Sequence, residues 1–127
     1  MSMTDAELAA ELAAIAGKLL LQVRDCGLLS LKSLGKAGDQ TANQFLIHAI
    51  REQRPDDGLL SEESKDTDER LTKSRVWIID PVDGTYNFHR GLEWWCSALA
   101  LADADDVVLG AVHQPVSGQT FLGGPLL

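Results

Sequence analysis

Apolar residues recur at three- and four-residue steps near the start of the chain, at Leu8, Leu12, Ile15, Leu19 and Val23. That period predicts an amphipathic helix over residues 5–24. Thr4 and Glu7 stand before it in the Thr-x-x-Glu spacing of a capping box, in which each side chain satisfies the other's free backbone donor. Gly27 is placed to close it. A second helix is expected from near Asp39, with Phe45, Leu46, Ala49 and Ile50 on one face, ending before the turn Pro55-Asp56-Asp57-Gly58.

The grain then changes from helical to extended. Gly58-Leu59-Leu60 is a short apolar run that leads into Ser61-Glu62-Glu63-Ser64. Residues 65–73 are polar without a period and read as a loop or short helix. Val76-Trp77-Ile78-Ile79 is a buried strand by its β-branched and aromatic content. Residues 97–102 and 107–112 are apolar runs on either side of Asp103-Ala104-Asp105-Asp106, which predicts a hairpin. Gln119-Thr120-Phe121-Leu122 adds a strand after Gly118. Two helices on a mainly antiparallel sheet, an α/β layered sandwich, is the expected fold, as one domain over residues 1–127. The chain stops at Gly123-Gly124-Pro125-Leu126-Leu127 with no closing helix, so an apolar sheet is left with few helices to cover it. A missing C-terminal half is expected to explain this.

Composition narrows the function. With 19 acidic against 11 basic residues the formal charge is −8, and the basic stripes of a nucleic-acid polymer binder are missing. An acidic protein that handles anions needs local neutralisation, which bound divalent cations provide. Cys26 and Cys96 lack metal or redox spacing, and Cys96 reads as a small buried hydrophobe. No run approaches a membrane span, so no membrane partner and a cytoplasmic location are expected. His48, His89 and His113 are scattered and read as surface or packing residues; Trp94 and Trp95 both read as core, with an active-site rim or a dimer contact as the alternative for one of them.

The chemistry concentrates in Asp80-Pro81-Val82-Asp83-Gly84-Thr85. Asp80 ends a hydrophobic strand, and Pro81 is expected to stop the ladder there. A turn of this length can bring Asp80 and Asp83 together, and two close carboxylates repel unless a hard cation lies between them. Magnesium suits such oxygen donors, with the Val82 carbonyl as a further ligand. Gly84 lets a phosphate approach the backbone, Thr85 offers a hydroxyl beside it, and Glu62 and Glu63 could complete the cluster. Taken singly, Asp83-Gly84 is an ordinary turn.

The string Trp77-Ile78-Ile79-Asp80-Pro81-Val82-Asp83-Gly84-Thr85, followed by Asn87-Phe88, resembles the signature of the inositol monophosphatase family, a group of lithium-sensitive, magnesium-dependent phosphatases. Leu59-Leu60-Ser61-Glu62-Glu63-Ser64 resembles its upstream acidic motif. The resemblance implies that Glu62, Asp80, Asp83 and the Val82 carbonyl hold two or three Mg²⁺ ions, with Glu63 in support. It implies that Asp83, Gly84 and Thr85 bind the substrate phosphate. Thr85, Asp39 and Glu62 are the implied catalytic residues, Thr85 orienting the attacking water and Asp39 backing it up; helix N-capping is the alternative role for Asp39. Two ions sharing a ligand would sit about 3.5–4 Å apart and clamp an in-line hydrolysis by activated water.

Small phosphorylated metabolites are the implied substrates, Li⁺ the implied inhibitor, and a homodimer the implied assembly of the complete protein. Thr85-Tyr86-Asn87-Phe88 resembles the inositol monophosphatase branch, whereas residues 4–24 are more similar to the 3′(2′),5′-bisphosphate nucleotidases, which act on 3′-phosphoadenosine 5′-phosphate. The cue beside the metal turn inclines the reading to the inositol branch. Family members are about twice this length and carry a further aspartate in their second half, so poor activity is expected of the chain alone. A rival of another class is a non-catalytic metal- or phosphate-binding module.

Overall fold

The computed structural model describes residues 3–61 and 71–127. Two long helices, α1 (Asp5–Asp25) and α2 (Leu31–Gln53), cover one face of a five-stranded sheet. Its strands are β1 (Gly58–Ser61), β2 (Arg75–Asp83), β3 (Cys96–Asp103), β4 (Asp106–Gln114) and β5 (Gln119–Gly123), in that spatial order. A short helix, α3 (Thr85–His89), follows β2. The β1–β2 pair is parallel and the other three pairs are antiparallel. No described helix is long and apolar enough to cross a membrane.

The first helix forms where its period and caps require. Glu7 N–H donates to Thr4 Oγ1 at 3.1 Å and Thr4 N–H donates to Glu7 Oε1 at 3.0 Å, closing the capping box. These bonds hold the Glu7 carboxyl below its ordinary range. Gly27 takes the left-handed conformation just past the helix end, φ 75°. The buried stripe is narrower than the large apolar residues alone suggest. Leu8, Leu12 and Leu20 are buried together with Ala9, Ala13 and Ala16, and the small residues let α1 lie close to α2 and the sheet. Gly17 is the tightest point, where a Cβ would stand 2.7 Å from Pro115 Cγ and 2.8 Å from His113 Cδ2.

The second helix starts eight residues before the expected Asp39. Ser33 Oγ donates to the Ser30 carbonyl at 2.9 Å and accepts from its N–H at 3.4 Å, which anchors the first turn. Gly35 and Gly38, poor helix formers by propensity, lie on the buried face of α2 and hide the period there. Tertiary packing overrides that propensity: a Cβ on Gly38 would meet Phe88 Cε2 at 2.7 Å and Leu20 Cδ2 at 3.2 Å.

Alternation along the strands sends Trp77, Ile79, Leu99, Leu101, Leu109 and Ala111 under the helices, where all are buried. The opposite face of the sheet is also apolar, from Ile78 across Ala100 to Val112 and Phe121. Phe121 is exposed there, 59%. The hairpin turns through Ala104 (φ 51°) and Asp105 (φ 70°), the pair of left-handed residues a two-residue connection needs.

One edge is tied by charge. Arg75 bonds Asp5 at 3.0 Å and Asp57 at 3.2 Å, Arg54 bonds Asp5 at 2.9 Å, and Trp77 Nε1 donates to Asp57 at 2.9 Å. Burial alone would raise the Asp5 carboxyl, but the two guanidinium hydrogen bonds outweigh it and hold it below its ordinary value. At the other end His113 is buried, 7% exposed, with Nδ1 2.7 Å from Thr120 Oγ1. Burial, and then the Lys18 ammonium, push its pKa below the ordinary 6.5. A histidine depressed by the fold is harder to protonate folded than unfolded. Stability is therefore complete above about pH 6.5 and falls as the pH drops through the unfolded and then the folded value. Melting curves between pH 7.5 and 5 should show this loss, and His113→Gln should flatten that part of the profile.

Candidate metal and phosphate site

The strand that carries the carboxylates does not stop at Asp80. β2 continues to Asp83, through Pro81, which is a correction to the expected chain turn. The ladder to β3 pairs Asp80 with Ala98 and resumes with Asp83 opposite Cys96, so the register shifts between the two aspartates. Pro81 lacks the N–H a regular ladder needs, and an irregularity is where a sheet accepts it. The effect is to bury Pro81 and Val82 while Asp80 stays half-buried and Asp83 is exposed.

Both carboxylates lie near one thiol. Cys96 is half-buried, and its pKa is raised first by burial and then by the fields of Asp83 and Asp80. That agrees with a packing cysteine and not a reactive one. Among the described residues no three His, Cys, Asp or Glu side chains gather as a metal group. Glu62 and Glu63, expected to complete the cluster, lie outside the described residues. The donors the structure does bring to this turn are oxygens, from Asp80, Asp83 and the Val82 carbonyl, and oxygen donors fit a hard cation such as Mg²⁺.

The phosphate-side residues follow at once. Gly84 takes a left-handed conformation, φ 91° and ψ 41°, and caps α3. Its carbonyl accepts from Phe88 N–H at 3.0 Å. Thr85 opens that helix, and its hydroxyl donates to the Val82 carbonyl at 3.3 Å, which ties the turn to the strand. Phe88 anchors α3 fully buried, edge-on to Trp95 with ring centroids 4.8 Å apart. Arg24 reaches across from α1: its guanidinium lies 5.2 Å from the Trp95 ring and donates to the Leu92 carbonyl at 2.9 Å.

Helix α2 supplies the floor. A Cβ on Gly35 would stand 3.1 Å from Thr85 Cγ2 and 3.2 Å from His89 Cδ2. Asp39 lies one turn further along the same face and is half-buried. It stands well inside α2, so the N-capping role is excluded; Ser30 is the cap. Asn43, another turn on, is 2% exposed and its side-chain carbonyl accepts from the Ser61 hydroxyl at the end of β1. Sequence reading passed over Asn43 and Ser61. The i, i+4, i+8 spacing of Gly35, Asp39 and Asn43 was the available signal, once α2 is extended back to Leu31.

Gly38→Ala tests this floor. The added methyl collides with the Phe88 ring, so a loss of about 1–3 kcal/mol in denaturant unfolding is expected.

Trp94 is also a correction. Trp95 is core, 3% exposed, but Trp94 is 76% exposed. The two precede β3 and do not share its alternation. Trp94 borders an open depression of about 290 Å³ together with Asp83, Gly84, Cys96 and Gln114.

The inositol monophosphatase family profile matches residues 3–124. The chain belongs to the inositol monophosphatase family. A 3′-phosphoadenosine 5′-phosphate phosphatase of Mycobacterium leprae is 48% identical over 101 residues, covering 78% of this chain and 37% of that protein. Inositol monophosphatase 1 of Homo sapiens is 33% identical over 87 residues, covering 67% of this chain and 31% of that protein. Among solved structures, a Thermotoga maritima IMPase superposes with a TM-score of 0.80 at 27% identity, covering 97% of this chain and 49% of that one. The chain thus spans less than half the length of these relatives. The fold agrees with the expected two helices on a mainly antiparallel sheet.

Proposed function

We propose that this chain forms the metal- and phosphate-binding half of a Mg²⁺-dependent phosphomonoesterase, with 3′-phosphoadenosine 5′-phosphate as the preferred substrate. The observation that carries the reading is local. A register shift in β2 separates Asp80 from Asp83, and the left-handed Gly84 then opens a helix at Thr85. Asp80, Asp83, the Val82 carbonyl and Glu62 are the residues that would hold Mg²⁺. When bound, the ions neutralise the carboxylates and the phosphate and lower the pKa of a water at neutral pH.

The chain's own residues do the rest. The Gly84 turn, with no Cβ of its own, admits a phosphate to the backbone. Thr85, braced by the Val82 carbonyl and by Gly35, keeps its hydroxyl oxygen beside the turn to orient the attacking water. Asp39, on the same face of α2 as Gly35, supports that threonine. Identity of 48% to the M. leprae phosphatase, against 33% to the human inositol monophosphatase, supports the nucleotide substrate, as does the N-terminal stretch. Thr85-Tyr86-Asn87-Phe88 supports inositol 1-phosphate as the second reading.

Phosphate release from both esters, with Mg²⁺ and with EDTA, tests the proposal. Slow Mg²⁺-dependent release from the chain alone, faster from the nucleotide, is expected. Preference for inositol 1-phosphate would move the chain to the other branch. Mg²⁺ binding without release, both by this chain and by a longer chain that carries the second half, would assign the non-catalytic module.

A further inference from the structure

Trp94 is built as a platform. Trp94 is 76% exposed, and two hydrogen bonds hold the backbone beneath it. The Asn87 amide donates to the Trp94 carbonyl at 2.7 Å, and Gln114 Nε2 donates to the Glu93 carbonyl at 2.8 Å. The next residue, Trp95, is locked between Phe88 and Arg24. Among the described residues, no side chain covers this large aromatic ring, which sets it apart from the smaller exposed leucines of the surface.

Its position relates it to the phosphate turn. The Trp94 carbonyl lies 3.1 Å from where a Cβ of Gly84 would stand. Trp94 borders two adjoining depressions, the one beside Asp83 and Gly84 and a second of about 410 Å³ that reaches Phe121. Gln114 lines both, its amide held between the Glu93 carbonyl and the Ser117 N–H.

We propose that Trp94 is a stacking platform for the planar heteroaromatic base of a phosphorylated substrate whose phosphate sits at Gly84 and Thr85. The inference rests on the phosphate-binding reading above and adds the part of the ligand that sets its class. Every nucleobase has a π-face, and stacking on a protein aromatic contributes about 5- to 100-fold in affinity. A polyol phosphate has no such face and gains nothing from the indole.

The test uses two ligands that differ only in the base, adenosine 5′-monophosphate and ribose 5-phosphate. Each is titrated calorimetrically with Mg²⁺ into the wild type, Trp94→Ala and Trp94→Phe. The ring is mostly exposed among the described residues, so all three should melt within a degree or two of one another. Trp94→Ala should weaken the nucleotide about 5- to 100-fold and leave ribose 5-phosphate unchanged, with Trp94→Phe restoring most of the loss. Equal affinity of the wild type for the two ligands overturns the platform while the phosphate site stands. So does an equal loss of both in Trp94→Ala. Failure of the wild type to bind either ligand with Mg²⁺ overturns the phosphate reading, and the platform with it.

Discussion

Asp83→Asn should remove Mg²⁺-dependent phosphate release, by about 10²–10³-fold or more, because it takes one charged ligand from the proposed Mg²⁺ centre. Stability should move the other way in metal-free buffer. There Asp80 and Asp83 sit across one register shift with no cation between them, so neutralising one relieves repulsion and leaves melting unchanged or slightly raised. With Mg²⁺ the order reverses. The wild type gains about 2.7 kcal/mol when the ion is at a hundred times its Kd, and the variant gains little. The pair of melting curves, with EDTA and with Mg²⁺, separates a metal ligand from an ordinary turn aspartate, for which the two curves would shift alike.

Gly84→Ala should be the most damaging change to the turn itself. At φ 91° an L-residue is strained by about 1–2 kcal/mol. The new methyl would also stand 3.1 Å from the Trp94 carbonyl and 3.2 Å from Trp95 Cβ, both held in place. Crowding of that kind adds about 1–3 kcal/mol. A fall in Tm of roughly 10 °C is expected, together with loss of activity. Gly118→Ala is the control, since Gly118 has φ 76° and nothing within 4 Å of its would-be Cβ. It should show the backbone cost alone. Equal losses in the two variants would mean that the close approach of Trp94 to the turn has no energetic weight.

How far these features can be read from sequence depends on the range of the forces that make them. The first helix was legible because its signals are local: a capping box at Thr4 and Glu7 and a leucine period behind it. The hairpin was legible for the same reason, with two apolar runs around Asp103–Asp106. The start of α2 was not, since Gly35 and Gly38 carry no hydrophobic signal and are chosen for closeness to Thr85 and Phe88, fifty residues away. Pro81 pointed correctly to a break in the ladder, but whether a strand ends or merely shifts register depends on its neighbour, here β3. α3 is five residues long, too short for any period.

The site divides along the same line. Asp80, Asp83, Gly84 and Thr85 are contiguous, so one motif revealed them together. Asn43 and Ser61 meet only in the fold, and the exposure of Trp94 beside the burial of Trp95 is set by Arg24 and Phe88, which reach Trp95 from other elements.

The proposed function requires the Asp80–Thr85 turn to bind Mg²⁺ and phosphate together. Calorimetric titration of Mg²⁺ into the chain, with and without inorganic phosphate, decides this, with Asp80→Asn and Asp83→Asn as partners. Saturable binding that phosphate strengthens, and that either substitution abolishes, is the predicted result. Binding that survives both substitutions, or none in the wild type, would contradict it.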